Sequence, residues 1–125
     1  MQKDTNLIFV YNAGSSFFST ANDVVRKVIA PNSQECSLCR ITYGPLSMKD
    51  EWRNFLESLS QRKIFLHKDE FHRLYPKKTG TELPAIFTDE KGEINLFISA
   101  QEINLAKTIA DLINLINNKQ TLKDN

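Results

Sequence analysis

"LPAIFTDEKGEINLFISAQEINLAKTIADLI" (83–113) decides the fold. Two apolar runs, 83–88 and 93–99, flank "DEKG". Runs of that length, rich in β-branched and aromatic residues, read as strands. The tight connection, with Gly92 free to take a positive φ, makes them a hairpin. Ser99 and Glu102 then form an S-x-x-E capping box. Ile103, Ala106, Ile109, Ala110, Ile113 and Ile116 recur at helical spacing, which predicts one long closing helix. The polar tail at about 118–125 is expected to fray.

Upstream, "NLIFVY" (6–11) is apolar without alternation. Such a run reads as a strand buried on both faces, in a sheet with helices on each side. "NAGSS" (12–16) is a turn, and Phe17, Ala21, Val24, Val25 and Val28 predict a helix over 16–29, ended by Pro31. Ser47 and Asp50 read as a second capping box for a helix over 47–59, with Met48, Trp52, Phe55, Leu56 and Leu59 on its apolar face. "KIFLH" (63–67) is a short buried strand, and "KDEFHRLY" (68–75) a brief helix stopped by Pro76. The loop "PKKTGTE" is polar.

The chain has 125 residues, 41% hydrophobic and 25% charged, which fits one domain (1–125) with a core of its own. A net charge of +1 gives no electrostatic drive toward nucleic acid or anionic lipid. No stretch approaches the ~18 apolar residues of a membrane span. "LIFVY" is too short for a signal-peptide core, so a cytoplasmic location, with reduced thiols, is expected.

The order of elements is strand, helix, an inserted segment at about 31–60, strand, short helix, hairpin, helix. Without the insertion it resembles the thioredoxin-like fold, β-α-β-α-β-β-α. "LPAIFTDEKGEINLFISAQEINLAKTIADLI" resembles the C-terminal half of thioredoxins, and "NLIFVYNA" their central strand. The resemblance implies an α/β domain with a four-stranded mixed sheet, strand 6–11 at its centre, and Pro84 as a cis-proline facing substrate. "FVYNAGSS", "ECSLCRITYG" and "FLHKDEF" also resemble stretches of small uncharacterised bacterial proteins with a displaced C-x-x-C. In thioredoxins the C-x-x-C opens the helix after the first strand. Here Ser15, Ser16, Phe17 and Phe18 hold that place, and the pair arrives after that helix has ended.

Cys36 and Cys39 are the only cysteines. A disulfide across so small a loop contributes only about 2 kcal/mol by chain entropy, so a stabilising staple is a poor reason for the pair. C-x-x-C beside a βαβ pattern is a redox signal: Cys36 as attacking thiolate, Cys39 as resolving thiol. Arg40 favours a thiolate and Glu35 opposes it. Zinc held by Cys36 and Cys39 needs further ligands. His67 and His72 are the only histidines, and five residues apart they share a helix face poorly. Two inert thiols are the plain alternative. The other class of function is a non-catalytic thioredoxin-fold module that binds a protein partner through the insertion.

"NAGSS" reads as a cap and turn before an anion site, and no glycine-rich nucleotide motif is present. Asp69 and Glu70 read as acids at a helix start. Because a helix runs antiparallel to the strand before it, the insertion is expected to start Cys36 and Cys39 across the domain from Pro84.

Overall fold

A computed structural model describes residues 5–12, 37–42 and 48–124. The strands β1 (Thr5–Val10), β2 (Arg62–Leu66), β3 (Ala85–Glu90) and β4 (Glu93–Ile98) form one sheet in the order β2-β1-β3-β4. β1 runs parallel to β2, with Ile8 opposite Ile64. It runs antiparallel to β3, with Ile8 opposite Phe87, and β4 is antiparallel to β3. The sheet is therefore mixed, and β1 has a neighbour on each side. Its unbroken apolar run follows from that position: Leu7, Ile8, Phe9 and Val10 are all fully buried.

Helices cover both faces. They are α1 (Ser37–Thr42), α2 (Asp50–Ser58), α3 (Lys68–Leu74), α4 (Ala100–Leu105) and α5 (Ile109–Asp124), with a 3₁₀ turn at Pro76–Lys78. Alternation along β1 sorts the core into two layers. Leu7, Phe9 and Tyr11 face Leu38 and Ile41 of α1, Trp52 and Leu56 of α2, Ile103 of α4, and Leu112 and Ile116 of α5. Ile8 and Val10 face the other way and pack with Leu66, Leu83, Ala85, Phe87 and Phe71 of α3.

The hairpin turns tighter than "DEKG" implied. Asp89 and Glu90 belong to β3, and Lys91 and Gly92 make the turn at φ 56° and 91°. Positive φ at both central residues is the demand of a type I′ turn. The Gly92 N–H donates to Asp89 Oδ1 at 2.8 Å. A Cβ added to Gly92 meets nothing within 4 Å, so only the backbone resists a side chain there. Gly92→Ala is expected to cost about 1–2 kcal/mol in urea unfolding, and Gly92→Asn less.

A register shift follows Ile86, which faces Ile98, while Phe87 faces Leu96. The extra residue, Phe97, forms a β-bulge. It breaks the alternation of β4: Ile94 packs with the α3 layer, whereas Phe97 and Ile98 both pack with the other.

Two expectations need correction. The long closing helix is two helices, α4 and α5, parted at Ala106–Thr108. The Ala106 N–H closes α4 on the Ile103 carbonyl at 3.0 Å. Thr108 Oγ1 then accepts the Asp111 N–H at 3.1 Å, and Asp111 Oδ2 accepts the Lys107 N–H at 3.0 Å. A fresh N-terminal cap therefore starts α5, and Thr108→Ala is expected to cost about 1 kcal/mol in thermal or urea unfolding. The backbone of α5 extends to Asp124. Second, α2 begins at Asp50 with Lys49 as its N-cap residue, not at a Ser47 capping box. Asp50 instead pairs with Arg53 at 2.7 Å. Ser47, the turn at 13–16 and the helix expected over 16–29 lie outside the described residues.

Candidate functional site

β1 and β2 end side by side at Val10 and Leu66. β3 begins opposite Val10 at Ala85, and β4 ends opposite Ile86 at Ile98. Tyr11, His67, Pro84 and Ser99, each one residue beyond a strand end, therefore share one end of the sheet. The carboxyl ends of parallel strands are where open α/β sheets hold ligands.

Pro84 is buried there, and the Leu83–Pro84 bond is cis, as expected from the sequence. Tyr11 is also buried, and its N–H donates to the Leu66 carbonyl at 3.0 Å. Its ring stacks on Phe65 with centroids 6.3 Å apart, and Phe65 stacks in turn on Phe9 at 5.0 Å. The His67 ring tilts against Tyr11, also at 6.3 Å. Phe65 stays 37% exposed, so this aromatic row reaches the surface.

His67 precedes α3 and caps it. Its N–H donates to Glu70 Oε1 at 2.8 Å, and its Nδ1 lies 2.6 Å from the same oxygen. Asp69 and Glu70 do open the helix, as their charge led us to expect, but Glu70 also fixes His67. The zinc reading asked His67 and His72 to complete a site with the cysteines. His72 sits half-buried on α3, tilted against the ring of Phe71. Among the described residues, no three His, Cys, Asp or Glu side chains are grouped to hold a metal.

Glu102 repeats the arrangement after β4. It accepts the Ser99 N–H at 3.0 Å, while the Ser99 Oγ accepts the Glu102 N–H at 3.2 Å. This is the capping box expected from the sequence. Lys119 of α5 adds an ion pair at 2.6 Å, which ties the far part of α5 to the start of α4.

Both carboxyls are held below the ordinary glutamate range. For Glu70 the main cause is the His67 N–H, which outweighs burial. For Glu102 burial pushes upward, but hydrogen bonds from Lys119 and the Ser99 N–H, with the Lys119 charge, outweigh it. A carboxyl lowered on folding stabilises the fold fully above its unfolded value of about 4.3, and that contribution disappears as pH falls through the folded value. Glu102→Gln is therefore expected to be less stable than wild type at pH 7. The gap should close on acidification below about pH 4, as read from urea midpoints along a pH series.

The C-x-x-C pair is described only in part. Cys39 lies in the backbone of α1, which begins at Ser37, and Cys36 lies outside the described residues. The expected separation of Cys36 from Pro84 lies outside them too. α1 buries Leu38 and Ile41 in the layer that holds Tyr11. It packs against α4, the helix that leaves the Pro84 end of the sheet. Inside α1, the Thr42 hydroxyl donates to the Leu38 carbonyl at 2.7 Å.

Sequence reasoning placed Pro84 and the Ser99 cap. It missed the His67–Glu70 contact, because histidine is not among the preferred capping residues. It missed Lys119, because the partner in α4 is remote in sequence. Among the described residues, no helix is long and apolar enough to cross a membrane. In comparisons with known proteins, no family model, no curated protein and no solved structure matches the chain.

Proposed function

We propose that this chain is a thioredoxin-fold thiol–disulfide protein, with Cys36 as the attacking thiolate, Cys39 as the resolving thiol and Pro84 lining the substrate site. The carrying observation is the sheet: order β2-β1-β3-β4, β1 parallel to β2, and an antiparallel β3–β4 hairpin followed by helices. That arrangement agrees with the β-α-β-α-β-β-α order of the thioredoxin-like resemblance. The start of α1 supports the roles of the cysteines. Cys36 is the residue before the first residue of α1, and Cys39 falls in its first turn. Unpaired N–H groups at a helix start favour a thiolate over a thiol.

The reaction is disulfide exchange with a protein disulfide. The Cys36 thiolate attacks one substrate sulfur, forms a mixed disulfide and releases the other sulfur as a thiolate. Cys39, deprotonated, then attacks the Cys36 sulfur and frees the second substrate thiolate. Two electrons pass to the substrate, and the protein is left with a Cys36–Cys39 disulfide. A dithiol reductant returns it to the start.

The test is the rate of Cys36 alkylation by iodoacetamide in Cys39→Ser, followed from pH 5 to 10. A midpoint well below the free-thiol value of about 8.5 supports the proposal. A midpoint at or above it rejects the redox role and leaves the non-catalytic module that binds a protein partner.

A further inference from the structure

We draw no further inference here: the strongest candidate, the groove between the starts of α2 and α5 lined by Lys49, Lys107 and Thr108, rests on two helix N-termini and surface lysines with no second observation that points to a ligand.

Discussion

Trp52→Ala is expected to lower stability by about 3–5 kcal/mol, a large share of the ~5–15 kcal/mol of an ordinary domain. Trp52 is fully buried. Its ring meets Phe9 edge-on, with centroids 6.0 Å apart at 85°, and lies 5.6 Å from Phe55. It thereby fastens α2 to the central strand. Truncation removes the apolar contact and leaves a cavity that the rigid β1 cannot collapse to fill. Among the described residues, the buried indole Nε1 has no hydrogen-bond partner. Trp52→Phe keeps an aromatic ring against Phe9, so it should destabilise far less than Trp52→Ala. Urea unfolding followed by circular dichroism separates the two, since both variants lose the only tryptophan. A loss under about 0.5 kcal/mol for Trp52→Ala, the level of an ordinary surface substitution, would show that α2 does not pack on β1.

Cys36→Ser is expected to abolish reduction of a protein disulfide by this chain, with the fold unchanged. No sulfur remains to form the mixed disulfide, so no later step can follow. Cys39→Ser should behave differently. Attack by Cys36 still occurs, but nothing resolves the adduct, and the mixed disulfide should accumulate and appear on a non-reducing gel. Under reducing conditions each serine variant should unfold within about 0.5 kcal/mol of wild type, because the exchange replaces one small side chain by another of nearly the same size. Turnover retained in Cys36→Ser would remove this cysteine from the mechanism. Unfolding of the wild type on chelation would point instead to a structural metal held by the pair.

The parts of the fold that were legible rest on local physics. "LIFV" (7–10) announces a strand buried on both faces because no residue in it can meet water comfortably, and β1 contains that run. Ser99 and Glu102 are three residues apart and cap a helix by short-range hydrogen bonds, so their pairing needed no tertiary knowledge. The break between α4 and α5 was harder to see. Ile103, Ala106, Ile109, Leu112 and Ile116 are buried on both sides of it, so apolar periodicity runs straight through. The Thr108–Asp111 spacing was the available signal, since T-x-x-D can start a helix as S-x-x-E does. In β4 the alternation of Ile94, Leu96 and Ile98 implies one face, yet across the bulge at Phe97 Ile94 and Ile98 pack in different core layers and Leu96 is exposed. A bulge is set by pairing with β3, which a single strand does not reveal. The site was legible to a similar degree. Pro84 could be given its cis bond only through the resemblance of the stretch it opens, since the sequence reading put it inside a strand at 83–88. The neighbours of His67 and Glu102 depend on how β1, β2 and α5 come together, and that is a tertiary fact.

The reduction potential of the Cys36–Cys39 pair, measured by equilibration in glutathione buffers and quantified by thiol trapping, tests the central claim most directly. A working exchange protein should fall between about −270 and −120 mV, the span of known dithiol exchangers. A potential below about −300 mV would mark a structural disulfide and contradict the proposal, as would failure of the pair to form a disulfide at any glutathione ratio.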